Sequence, residues 1–242
     1  MPGNRKSTKG ASMADIADIL RQELWTRSGP VVSRLPGEEI ETLEARASAT
    51  VADPAPLGLW AFATGTWIVG TVFAGAFPAS ALTATIPVLL IFAGLAQFIA
   101  GLFAFRRANV LAATAFCSFG AFNVVTAAFL ALAARGILTT TGDPLVLQGF
   151  VLLSFGFIAL ALTIAALPTN AGLVITLGLL CVGYILTGVA AIFDTAPISH
   201  FVVGDIGGWF LCGSAFFAYL TGMALVVNSC WGRTVLPIGG AP

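Results

Sequence analysis

Formal charge is scarce in this chain. Lysine and arginine number 11 and aspartate and glutamate 11, together 9% of 242 residues, where an ordinary soluble domain carries about 25%. That shortage, set beside 58% hydrophobic residues, excludes a typical water-soluble domain and gives no basic patch for a nucleic-acid partner. Histidine occurs once, as His200, so no zinc site is expected. Cys117, Cys181, Cys212 and Cys230 stand alone with no C-x-x-C spacing, and they read as packed thiols, neither disulfides nor metal ligands. There is no H-E-x-x-H, no phosphate-binding glycine loop and no pair of acids in the apolar part. An enzyme, a cofactor and ATP coupling are therefore not expected.

What the chain has in quantity is apolar sequence, with a mean hydropathy of +0.97. Six uncharged runs stand out, at about 57–76, 82–105, 110–133, 145–167, 171–193 and 206–227. Each is near the ~20 residues that a bilayer-spanning helix needs. The fold class expected is an all-α membrane protein, a bundle of six transmembrane helices. Between residues 54 and 232 the formal charges are Arg106, Arg107, Arg135, Asp143, Asp194 and Asp205, all in connections or at segment ends. Pro87 lies in the first turns of the second run and is expected to tilt or kink it.

The domain plan has three parts: a polar tail over 1–52, the six-helix region over 53–230, and a short C-terminal tail over 231–242. No signal peptide is expected, because the tail lacks an apolar stretch of about 7–15 residues before a small-residue cleavage site. Ser12-Met13-Ala14-Asp15 resembles a capping box, and Ile16, Ile19, Leu20 and Leu24 then fall on one helical face beside Trp25. This short amphipathic helix suits a membrane surface or a place against the protein itself. A second helix is expected at Glu38–Ala47. Seven of the 11 cations, Arg5, Lys6, Lys9, Arg21, Arg27, Arg34 and Arg46, precede residue 53. With six spans they share a side with Arg106, Arg107 and Arg233, leaving Arg135 on the other. The distribution predicts a multi-pass cell-membrane protein with both termini cytoplasmic.

The boundary between tail and spans is Asp53-Pro54-Ala55-Pro56-Leu57-Gly58-Leu59. Asp53 is a good helix N-cap, Pro54 suits the first helical position, and Pro56 still falls in the tolerant first turn. Within the spans a row of uncharged polar residues remains: Thr64, Thr66, Gln97, Thr114, Ser118, Asn123, Thr126, Thr163, Thr176, Thr187, Ser214, Thr221 and Asn228. The threonines can bond their own helix carbonyls four residues back. The amides of Gln97, Asn123 and Asn228 cannot be satisfied locally and should face other helices or a water-filled path. Gly94 and Gly101 share a face of the second helix, and Gly183 and Gly188 lie near the middle of the fifth. They read first as sites of close helix packing, and second as room along a pore.

Asp53–Leu59 resembles the N-P-A-P-L-G-L signature of the acetate uptake transporter family. Gly94-Leu95-Ala96-Gln97-Phe98-Ile99-Ala100-Gly101 is similar to that family's second helix, and Thr114-Ala115-Phe116 with Ser118-Phe119-Gly120 is similar to its third. Trp231-Gly232-Arg233-Thr234-Val235-Leu236-Pro237-Ile238-Gly239 matches its closing G-R-T-V-L-P-I-G. The similarity covers about residues 53–240 and leaves the polar tail outside. It implies a six-helix protomer with its own pore, assembled as a homo-hexamer in the lipid bilayer. The pore would pass acetate and related short monocarboxylates, with succinate within its range, passively or with protons. It also implies a constriction at Phe62, Phe119 and Leu180, with Gln97, Asn123, Thr114 and Ser118 along the bore. Three departures stand out: Asp53 replaces the family's usual Asn, Phe119 replaces a frequent tyrosine, and Asn123 lies where a relative has a large aromatic. The alternatives are a channel for another small solute such as urea or ammonia, or a membrane sensor or scaffold acting through the tail.

Overall fold

A computed structural model of the chain describes residues 51–138, 143–193 and 200–239. The tail helices expected before residue 50, Asp194 and the turn residue Gly142 lie outside the described residues, as do the side chains of residues 200–202. Six long apolar helices make up the fold: α1 (Ala55–Phe73), α2 (Ala79–Arg106), α3 (Val110–Ala134), α4 (Asp143–Ala166), α5 (Ala171–Phe193) and α6 (His200–Trp231). All six are long and apolar enough to cross a membrane. His200, which lies between the fifth and sixth apolar runs of the sequence, is the first residue of α6.

The ends follow from local chemistry. The Asp53 carboxylate accepts from the Ala55 N–H at 3.0 Å, and the Pro54 carbonyl already accepts from the Gly58 N–H at 3.0 Å. Asp53 thus caps a helix whose first turn begins at Pro54. The turn between α2 and α3 passes through Ala108 at φ +54°, a left-handed conformation that disfavours a side chain. Asn109 then caps α3, its Oδ1 accepting from the Ala112 N–H at 3.0 Å. Nearby, the Arg107 guanidinium donates to the Val51 carbonyl, fastening the approach to α1 onto this turn.

α2 is not a uniform helix. A 3₁₀ turn (Ala79–Ala81) leads to α-helix over Leu82–Leu90, a π-helical stretch over Ile91–Ala96, and α-helix again over Gln97–Arg106. Pro87 lies inside the α-helical Leu82–Leu90 segment, one turn before the π-helical stretch; its missing N–H and its ring bear on the turn that precedes it. The Gln97 N–H bonds the carbonyls of Gly94 and Phe92 and leaves that of Ala93, its normal α-helical partner, to others.

α1 packs on α2 and α6, α2 on α3, α4 on α5 and α5 on α6, so the helices surround a common interior whose loosest seam is between α3 and α4. Glycines set the close approaches. A Cβ on Gly101 would stand 2.7 Å from the backbone nitrogen of Cys117, and one on Gly120 would stand 2.7 Å from that of Phe98. One on Gly183 would stand 2.6 Å from Leu211 Cδ2. Gly94, Gly101, Gly183 and Gly188 are therefore packing glycines, as the first reading had it. Outside, the helices present apolar side chains. On α4 the exposed face is Leu147, Phe150, Phe157, Leu160 and Ile164, the composition that hydrocarbon requires.

Past α6 the chain turns at Gly232 and folds back as a strap. Asn228 holds it: its Oδ1 accepts from the N–H groups of Val235 (2.7 Å) and Leu236 (2.9 Å), and its Nδ2 donates to the Leu236 carbonyl (2.9 Å). The strap ends on the start of α5, where the Gly239 carbonyl accepts from Ala171 N–H at 2.7 Å and the Ile238 carbonyl from Gly172 N–H at 3.3 Å. Those donors would otherwise be unpaired at a helix N-terminus. Asn228 thus ties down the closing motif and faces no path. Sequence position alone could not show this, since its partners lie beyond the span.

Candidate functional site

Five aromatic rings meet in the interior. Phe119 of α3 is their hub, with ring centroids 5.9 Å from Phe62 of α1, 6.0 Å from Phe155 of α4 and 6.2 Å from Tyr184 of α5. Phe122, one turn on, lies 4.3 Å from Phe155 and 5.7 Å from Tyr184. These side chains close the α3–α4 seam that the backbones leave open. Leu180 is fully buried in the same cluster.

Cavities lie on both sides of the cluster. At the end holding the starts of α1, α3 and α5 is one of about 260 Å³, reaching from Asp53 to Phe62, Phe119 and Gln97. Beyond the rings is a pocket of about 40 Å³ bordered by Thr66, Phe122, Asn123, Thr126 and Tyr184, room for a few waters. It shares Phe73, Gln148 and Leu152 with a cavity of about 470 Å³ at the opposite end, where Asp205 stands. The interior is thus a line of three spaces interrupted by rings.

Two amides join the spaces on either side. Gln97 is fully buried and borders the first cavity; Asn123 borders the middle one. Asn123 Nδ2 donates to Gln97 Oε1 at 3.2 Å and to the Ala93 carbonyl at 3.0 Å. Gln97 Nε2 is buried and has no hydrogen-bond partner. An unmet buried donor costs about 1–3 kcal/mol, so this group is set to receive an acceptor from elsewhere. Most hydroxyls are spoken for: Thr64, Thr126, Thr163, Thr176, Thr187 and Thr221 each donate to the carbonyl four residues back, as the sequence suggested.

Of the residues singled out from sequence, Phe62, Phe119, Gln97 and Asn123 come together, and Asp53 stands at the mouth of the first cavity. Leu180 packs in the ring cluster but borders none of the three spaces. Thr114 is exposed and Ser118 half-buried on the face of α3 that also carries Ala121 and Val125, turned away from the cavities. That placement departs from the expected bore, because a helix in lipid buries only part of its circumference and a lone hydroxyl does not mark which part. Sequence reasoning missed Phe122, Phe155 and Tyr184. Spacing held a signal for Phe122, one turn from Phe119, and composition held one for Tyr184, one of 2 tyrosines in the chain.

Residues 37–237 match the model of the GPR1/FUN34/yaaH family. The chain belongs to this family. The match begins inside the polar tail, which the motif resemblance had placed outside. Among curated members, the chain is 30% identical over 191 residues to the succinate-acetate/proton symporter SatP of Escherichia coli (strain K12), covering 78% of this chain and 96% of that one. It is 27% identical over 199 residues to acetate permease A of Emericella nidulans, covering 79% of this chain and 67% of that one. Among solved structures, the bacterial acetate channel SatP superposes with a TM-score of 0.71 at 27% identity, over 78% of this chain and 99% of that one. The family fold is thus the six-helix bundle described above, and the chain is a multi-pass membrane protein of a family with transporter and channel members.

Proposed function

We propose that this protein is a permease that carries acetate and related short monocarboxylates across the membrane through the interior of each protomer. The observation that carries the reading is the unpartnered Gln97 Nε2, buried where the first cavity meets the Phe62–Phe119 rings. A carboxylate that has shed water needs a donor there, and the rings admit a small apolar methyl while resisting larger hydrated ions. Among the described residues bordering the three spaces there is no lysine, arginine or histidine, so a second carboxylate finds no counter-charge. Monocarboxylates are favoured over succinate on that ground. The titratable groups bordering the spaces are Asp53, Tyr184 and Asp205, with no buried carboxylate between the two ends. A coupled proton therefore travels on the substrate or through water.

In this reading Phe62 and Phe119 form the gate, with Leu180 stiffening it from behind. The Asp53 mouth is cytoplasmic, following the lysine and arginine count, and Asp205 faces outward. Homo-hexameric assembly would shield part of the apolar surface and leave one pore per protomer. No catalytic step is assigned.

Uptake of labelled acetate by proteoliposomes containing only this protein tests the proposal. Rates above protein-free vesicles, saturable and raised in KM by Gln97→Leu, are expected. No uptake above those vesicles at either acidic or neutral outside pH overturns it.

A further inference from the structure

We infer that Asn123 is a positioning residue that fixes which end of the Gln97 amide is offered to substrate, and so makes the site prefer a carboxylate to a neutral amide of the same shape. The inference rests on the reading of Gln97 as the substrate donor. The Ala93 carbonyl can only accept. It is available because the π-helical turn sends the Gln97 N–H to Phe92 and Gly94 instead. With Asn123 Nδ2 at 3.0 Å from that carbonyl, the orientation of the asparagine amide is decided, and its second hydrogen meets Gln97 at 3.2 Å. Gln97 must then turn Oε1 toward Asn123, and Nε2 is what remains.

Gly65 leaves room for the arrangement: a Cβ there would lie 2.5 Å from Ala93 Cβ and 3.6 Å from Asn123 Oδ1. Without Asn123, the Ala93 carbonyl becomes an acceptor for Gln97 Nε2 itself. The donor would be withdrawn and Oε1, which repels a carboxylate, presented in its place. A neutral amide such as acetamide carries both a donor and an acceptor and tolerates either orientation. The switch therefore acts on charge type, not on size.

The test uses the full chain in proteoliposomes, with initial rates of acetate and acetamide uptake corrected for protein-free vesicles. Asn123→Leu should raise the acetate KM by about tenfold or more, the worth of a hydrogen bond to a charged group. The acetamide KM should change less than about twofold, and acetate Vmax little. In a Gln97→Leu background the same substitution should add nothing further to the acetate KM, since the two residues act as one unit. Asn123→Ser, whose hydroxyl has a single hydrogen for two acceptors, should fall between wild type and Asn123→Leu, and it decides the matter if the leucine variant does not fold. Equal losses for acetate and acetamide, or additive losses in the double variant, overturn the inference in favour of a packing role. If Gln97→Leu leaves acetate KM unchanged, the donor reading itself fails. If Gln97→Leu raises it and both Asn123 variants do not, only the positioning role fails.

Discussion

Gly58, in the Asp53–Leu59 motif, offers a sharp test of what that motif does. A Cβ built there would lie 2.4 Å from Cε2, 2.5 Å from Cδ2 and 2.6 Å from Cζ of Phe116, whereas ordinary contact begins at 3.4 Å. The ring must therefore retreat by about 1 Å to admit one methyl group, and Phe116 is buried at the wall of the first cavity. Two effects oppose each other in Gly58→Ala. Alanine is the better helix former by about 1 kcal/mol, while forcing a packed ring off its seat costs about 1–3 kcal/mol. The second wins in a packed interior, so a net loss of up to about 2 kcal/mol is expected, roughly 2–4 °C of Tm for each kcal/mol in a protein of this size. Thermal unfolding in detergent, followed by tryptophan fluorescence, reads the loss; acetate uptake reads the narrowing of the cavity. Phe116→Leu placed on top of Gly58→Ala should recover part of both, with a favourable coupling of about 1 kcal/mol. A Gly58→Ala protein as stable as wild type, with unchanged KM, would refute the argument that this glycine exists to seat Phe116.

Three other substitutions have definite expectations. Phe119→Ala removes the hub of the ring cluster; acetate Vmax should rise and discrimination against butyrate should fall in vesicle uptake, at a stability cost of about 3–5 kcal/mol. Asp53→Asn keeps an oxygen to cap the Ala55 N–H while removing negative charge from the mouth of the first cavity, so acetate uptake should stay level or increase. Near-complete loss at normal membrane expression would count against it. Asn228→Ala deletes three hydrogen bonds to the strap; limited proteolysis should then cut near residues 232–237, and Tm should fall by an amount equivalent to about 1–3 kcal/mol.

The bundle was legible because a bilayer imposes a length and an apolar composition that few other structures need. α5 falls where the apolar run ended, and α3 does so within one residue. α6 runs further than its apolar run, from His200 to Trp231, because one carboxylate at Asp205 does not stop a helix whose end lies near the membrane surface. Part of the site was legible too. Gln97 and Asn123 stood out because amides in hydrocarbon demand partners, and they found each other. The π-helical turn was not legible: Pro87 announces a disturbance in the turn before it, and nothing in Ile91–Ala96 announces a wider turn after it. Thr114 and Ser118 misled for a related reason. In a soluble helix a polar side marks the outside, whereas here both sides are apolar, and only packing tells lipid from interior.

Selection with a neutral donor differs from selection with a cation. A lysine or arginine at the position of Gln97 would hold a carboxylate firmly, and conduction requires that a solute leave as readily as it arrives. In the proposed permease, one amide N–H, already buried and unpaired, would offset part of the hydration lost at the rings and no more. Past the rings, the middle pocket of about 40 Å³ with Thr66, Asn123, Thr126 and Tyr184 around it would give water a place to meet a carboxylate emerging on that route. The amide pair spans that step, one member on each side of the rings. The wider turn in α2 makes the pair possible, because it frees the carbonyl that orients both amides. On the proposed reading, a chain with almost no charge to spend would distinguish an anion by the direction of a hydrogen bond, and that direction would be set by how a helix is wound.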